Sequence, residues 1–197
     1  MEITNRHIEA VIRDYIERYL AGNRAARIVA DALAATGVGI RPVLDHISIR
    51  TLDIQERARE FEALGFGYDD HLGVIERDEW WAKVYRKPGF PAIYIDQAFI
   101  DNRGARSPIP GWVEKFTDGQ LHHIAINVDV LEPAIERLQS MGIQFTGNIV
   151  GDPGSEFRQI YAKPEVVDGE DFTTLELIER RWGYTGFLSP IVPLAGT

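Results

Sequence analysis

Polar and apolar positions alternate through LDHISIRT (residues 44–51) and again through LHHIAINV (residues 121–128), so each predicts a strand with one apolar and one polar face. The two are copies in register. His46 falls on His123, an offset of 77 (123 − 46), and the next stretch keeps that offset: Ile54 on Leu131, Ala58 on Ile135, Phe61 on Leu138, Leu64 on Met141, Gly65 on Gly142. Apolar residues spaced by four and three describe one face of a helix, and each glycine stands where a helix C-terminus favours a left-handed residue. Further strand-like runs follow in the same order, at 67–74, 81–86 and 92–97 in the first copy and 148–150, 157–163 and 174–178 in the second. The pattern is β-α-β-β-β twice. Such duplication places equivalent residues around a shared pseudo-two-fold axis.

Before the repeat, Ile8, Val11, Ile12, Tyr15, Ile16 and Tyr19 recur with helical spacing, with Thr4 as N-cap, and predict a helix over about 5–20. Gly22 and Asn23 break it, an Ala-rich helix follows over 24–35, and Gly37 stops that one. The pair reads as a cover packed on the first module. One domain over 1–197 is expected: helices at 1–41, module one at 42–100, a linker at 101–119, module two at 120–182 and a proline-rich strap at 183–197.

Composition narrows the chemistry. The 197 residues contain no cysteine, so a metal would have to be held by His, Asp, Glu or Tyr. A net charge of −9 argues against nucleic acid or an anionic membrane as partner. No apolar run is long enough to span a bilayer and the N-terminus lacks a basic and apolar leader, so a cytoplasmic protein is expected.

Alternation puts His46, Ser48 and Arg50 on one strand face, and His123, Ala125 and Asn127 on one face of the copy. With the isoleucines beneath the helices, two histidines, an arginine and an asparagine are left on the concave side. On the last strand Glu176 stands between Leu175 and Leu177 and turns the same way. Two imidazoles and a carboxylate are the donor set that leaves open positions on non-heme Fe(II). His122 competes with His123 for the ligand role, but only His123 matches His46 in register; Glu179 competes with Glu176. Arg50 is suited to hold a substrate carboxylate with both arms of its guanidinium.

At these residues the chain resembles the vicinal oxygen chelate superfamily, over about residues 43–181. That resemblance implies an α+β fold of two βαβββ modules forming a metal-holding cup, here preceded by a helical pair. Within it, DHISIRT (45–51), PAIYID (91–96), HIAINV (123–128) and ERRWGYTGF (179–187) resemble the 2-oxoadipate dioxygenase/decarboxylase family. Membership would imply an Fe(II) enzyme converting 2-oxoadipate and O2 to 2-hydroxyglutarate and CO2, with His46, His123 and Glu176 as metal ligands and Arg50 on the substrate. TLELIERR (174–181) is also similar to the last-strand motif of 4-hydroxyphenylpyruvate dioxygenase, which favours Glu176. The loop GDPGSEFRQIY matches the family only loosely; Ser155, Arg158, Gln159 and Tyr161 are candidates for the far end of the substrate. Zn, Ni or Mn are alternative metals. The expected partners are a small 2-oxo acid and O2, with a homodimer left open. Two other readings share this fold: a glyoxalase-type lyase or isomerase that uses no O2, and a non-catalytic binding protein. Arg50 against Asn127, where the copies differ, is where substrate choice is expected to reside.

Overall fold

The computed structural model describes residues 4–187. Helix α1 (Asn5–Gly22) starts where Thr4 accepts a hydrogen bond from the His7 amide, and its predicted stripe, Ile8, Ile12, Tyr15, Ile16 and Tyr19, is buried. Asn23 then caps α2 (Arg24–Ala35) by accepting from the Ala26 amide at 2.8 Å. After a short 3-10 turn (Arg41–Val43) the first copy comprises β1 (Leu44–Arg50), α3 (Ile54–Ala63), β2 (Gly67–Tyr68), β3 (Ile75–Glu76), β4 (Trp80–Arg86) and β5 (Ala92–Ala98). A 3-10 turn (Asn102–Arg106) and α4 (Ile109–Phe116) lead into the second copy. That copy comprises β6 (Leu121–Asn127), α5 (Leu131–Ser140), β7 (Phe145–Val150), β8 (Phe157–Ala162), a small hairpin of β9 (Val166–Val167) and β10 (Glu170–Asp171), and β11 (Thr174–Arg180).

One sheet runs β2-β4-β5-β1-β6-β11-β8-β7, with β3 on β4. Its centre is the antiparallel pair β1–β6, and each central strand has a parallel partner from its own copy, β5 or β11. The two copies therefore meet edge to edge through their histidine strands. The apolar faces of these four strands, Ile47, Ile49, Ile93, Ile95, Ile124, Ile126, Leu175 and Leu177, join Ile54, Ala58 and Phe61 of α3 in one buried core. At about 25 cal/mol per Å² of apolar surface removed from water, this layer is the principal fixed reference of the fold. The opposite faces of the same strands form the cup.

Three expectations are corrected. The N-terminal helices do not cover module one alone: the Tyr15 hydroxyl donates to Glu60 of α3, while the Tyr19 hydroxyl donates to the Thr174 carbonyl and Asn23 reaches Thr173 in the second copy. Their stripe is wide enough to span the seam. The segment read as a linker contains α4, because Pro108 and Pro110 fall at its start, where the missing N–H costs no hydrogen bond. Trp112 of that helix is buried and donates to the Phe172 carbonyl at 2.8 Å. The run 67–74 supplies only the two residues of β2. The hairpin β9–β10 was not expected. Among the described residues, no helix is long and apolar enough to cross a membrane. Of the expected strap, residues 188–197 lie outside the described residues.

Candidate metal centre

His46 on β1, His123 on β6 and Glu176 on β11 meet at the centre of the cup. His46 Nε2, His123 Nε2 and Glu176 Oε2 form a triangle with every side 3.2 Å. All three residues are buried, at 2%, 7% and 1% exposure. Despite these short separations, Glu176 Oε2 has no hydrogen-bond partner. Three electron-pair donors converging in a buried place, with the Glu176 oxygen unpartnered, is an arrangement that a divalent cation relieves. For metal–donor bonds of about 2.1 Å, sides of 3.2 Å subtend about 100° at the ion, which suits three adjacent positions of a four- to six-coordinate metal. Among the described residues this is the group that could hold a metal.

Neighbours fix each imidazole. His46 Nδ1 lies 2.8 Å from Asp45 Oδ2, and Asp45 is gripped by Arg180 through Nε (2.8 Å) and Nη2 (3.0 Å). A proton held between His46 Nδ1 and Asp45 leaves Nε2 free to face the centre. Burial opposes charge on His46, but Asp45 and Glu176 outweigh it and raise its pKa. Burial would likewise raise Glu176; the His123 and His46 rings beside it instead hold the carboxyl at about 2. His123 Nδ1 lies 3.0 Å from His122 Nδ1. Burial, the Arg50 charge and His123 together push His122 well below its ordinary pKa, so it is a neutral ring able to accept from His123.

His122 reaches this position through a β-bulge. Ser48 pairs with His123 and Ile49 with Leu121, so His122 is the extra residue and escapes strict alternation. Sequence reasoning treated His122 and His123 as rivals, whereas the structure uses both on one side. Tyr94, in register with Ser48 as Glu176 is with Ala125, occupies the position in the first copy that Glu176 holds in the second. Burial raises the Tyr94 hydroxyl well above its usual pKa, which keeps it a neutral phenol.

The donors open on a cavity of about 300 Å³ that also has Arg50, Asp96, Gln159, Tyr161 and Phe187 in its wall. The Phe187 ring meets His46 edge-on at 4.9 Å between centroids. Its segment is held by Arg86 on the Thr185 carbonyl (2.6 Å) and by Arg180 on the Gly186 carbonyl. A larger recess of about 740 Å³ adjoins it and shares Arg50, His122 and Tyr161. That larger recess lacks the donor triangle, so the smaller cavity is the candidate site and the recess its approach.

Of the far-end candidates, Gln159 and Tyr161 stand on the cup face of β8, in register with Ile178 and Glu176. Arg158 and Ser155 do not. Arg158 lies on the other face, tied to Glu132 and to Glu179 (3.1 Å), and the Ser155 hydroxyl donates to the Phe157 carbonyl at 3.0 Å. Glu179 shares that face and accepts from the Leu131 amide at the start of α5. Asn127 is exposed and lines a separate recess with Asp45 and Arg41, away from the donors. Asp96 and Phe187 were missed as site residues. The alternation of PAIYID carried the first, since Asp96 shares a face with Tyr94, while Phe187 had no local signal.

No family model matches the chain, and no curated protein matches it in sequence. Solved structures do. A protein from Shewanella frigidimarina NCIMB 400, provisionally named a hydrolase, superposes with a TM-score of 0.77 at 16% identity, covering 96% of this chain and 99% of that one. Hydroxyglutarate synthase from Oryza sativa, in complex with 2-oxoadipate, gives 0.69 at 13% identity over 87% and 80%. A provisionally named glyoxalase-superfamily protein from Ralstonia eutropha JMP134 gives 0.67 at 14% over 89% and 84%. At these identities the likeness is one of architecture: the chain has the vicinal oxygen chelate fold.

Proposed function

We propose that the protein is an Fe(II)-dependent dioxygenase and decarboxylase of a small 2-oxo acid, giving a hydroxy acid and CO2, with 2-oxoadipate the first substrate to try. The observation that carries this is the buried His46–His123–Glu176 triangle facing a cavity of about 300 Å³. Three protein donors leave positions for a chelating substrate and O2, whereas Tyr94 stands where a fourth donor would be. The 2-oxoadipate bound in the rice enzyme of the same fold supports the substrate class.

His46, His123 and Glu176 would hold the iron, which when bound supplies O2 activation and a chelation site for the 2-oxo acid. The remaining work belongs to the chain. Asp45 with Arg180, and His122, fix the two imidazoles so that their Nε2 lone pairs converge. Arg50, half-buried at the junction of cavity and recess, orients the substrate from the side opposite the apolar core. Tyr94 and Phe187 pack against His46 and exclude water from the donors.

The test is metal content after minimal handling, followed by O2 uptake with a panel of 2-oxo acids. Iron near one equivalent and O2 consumption with at least one 2-oxo acid are expected. Bound metal with no O2 consumption for any member of the panel would defeat the oxygenase reading and leave the fold intact.

A further inference from the structure

Among the described residues, six buried side-chain polar atoms lack a hydrogen-bond partner, and four of them belong to the cup: Ser48 Oγ, Arg50 Nε, Asp96 Oδ1 and Glu176 Oε2. Glu176 is accounted for by the donor triangle. The other three stand on the adjacent strands β1 and β5, where Ser48 is in register with Tyr94 and Arg50 with Asp96. Buried polar groups normally find partners, so a cluster of unpartnered atoms beside the candidate metal centre has hydrogen-bonding capacity to offer a ligand's polar group.

The Arg50–Asp96 pair shows what that group is. Arg50 Nε is 3.8 Å from Asp96 Oδ2, too far for a hydrogen bond, so each keeps unused capacity. The guanidinium instead lies over the Trp112 ring at 5.3 Å. Asp96 is only 4% exposed, and burial lifts its carboxyl to about 6 against the pull of Arg50. A donor and an acceptor thus sit side by side with their charges nearly cancelling. A second substrate carboxylate placed on Arg50 would stand against the buried Asp96 carboxylate, where like charges repel strongly. A carboxamide or hydroxyl meets both: its proton donates to Asp96 Oδ1 and its oxygen accepts from Arg50 Nε. Arg77 also lines the cavity, but it is exposed, where solvent screens it.

Resting on the reading of a 2-oxo acid held at the metal, we infer that Asp96 is a specificity-determining residue. With Arg50 it selects a 2-oxo acid whose far end is a neutral donor–acceptor group, a carboxamide or hydroxyl, over one that ends in a second carboxylate. This narrows the substrate: 2-oxoadipate has the right head, and its far end is the part disfavoured here.

The test compares 2-oxoadipate with its isosteric ω-amide. Fe(II)-loaded protein is titrated anaerobically with each, followed by tryptophan fluorescence, which Trp80 and Trp112 at the cavity walls should report. The wild type is expected to bind the amide about tenfold or more tightly than the dicarboxylate, and Asp96→Asn to reverse that order, as expected when the element that repels the competitor is removed. Equal or tighter binding of the dicarboxylate by the wild type overturns the inference, and this arm needs no variant. A ratio unchanged in folded Asp96→Asn protein overturns it too. Binding of both ligands with no preference defeats the Asp96 assignment alone; binding of neither defeats the 2-oxo acid reading along with it.

Discussion

In the first copy of the repeat, the strand beside the histidine strand carries Tyr94 in register with Ser48; in the second, the matching strand carries Glu176 in register with Ala125. The backbones agree, and the chemistry divides between them. The second copy supplies the carboxylate of the donor triangle, while the first supplies a neutral phenol and, two residues on, Asp96 facing Arg50. The histidines also differ in support: His46 is held by the charged Asp45–Arg180 pair, His123 by a neutral ring. Duplication thus provides two mutually facing imidazoles, one from each copy, and divergence places the third donor, Glu176, on the second copy and the Arg50–Asp96 pair on the first.

The sharpest way to break this comparison is to exchange its two matching positions. Glu176→Gln is expected to weaken metal binding by more than the ~10–100-fold that loss of an outer partner costs, whereas Tyr94→Phe should leave metal content unchanged. Metal analysis of both proteins decides, and a full complement in Glu176→Gln would remove the asymmetry. Smaller effects are expected from the supports. Asp45→Asn and His122→Phe should each weaken metal binding by about 10–100-fold in a chelator competition, with the charged partner mattering more. A loss in His122→Phe as severe as that in Glu176→Gln would instead make His122 a ligand.

The smallest expected effect is on stability. The Asp96 carboxyl lies at about 6 in the folded protein against 3.8 as its ordinary value. The folded state therefore binds more protons between those values, and stability falls as pH rises through that window. Asp96→Asn carries no such proton. It should be more stable than the wild type above pH 6, by about 1–3 kcal/mol or several degrees in Tm, with the gain vanishing near pH 4. A gain independent of pH in thermal melts would show that Asp96 is not strained by its burial.

Much of this was legible beforehand. The helical stripes of α1 and α3, the glycine stops at Gly65 and Gly142 (φ 85° and 86°), and the alternation through His46 and His123 all follow from period and backbone geometry. The β9–β10 hairpin was legible but unread: Asp168 and Gly169 at its turn both take positive φ, 51° and 81°, the signature of an Asp-Gly turn. Arg158 misled because the loose likeness of the loop GDPGSEFRQIY to the family says nothing of which face each residue takes. Its strand parity, opposite to Tyr161 and Gln159, already pointed away from the cup.

Local periodicity suffices to specify two strand–helix copies, the faces they present, and the pattern that singles out His46, His123 and Glu176, because the direction of a side chain is a property of its own segment of backbone. Tertiary packing is what brings His122 to His123 through a bulge, Phe187 onto His46, and Arg50 to 3.8 Å from Asp96 without a hydrogen bond between them. Each depends on how distant strands pair and where burial leaves a polar atom unpartnered, and no local pattern of residues encodes that pairing.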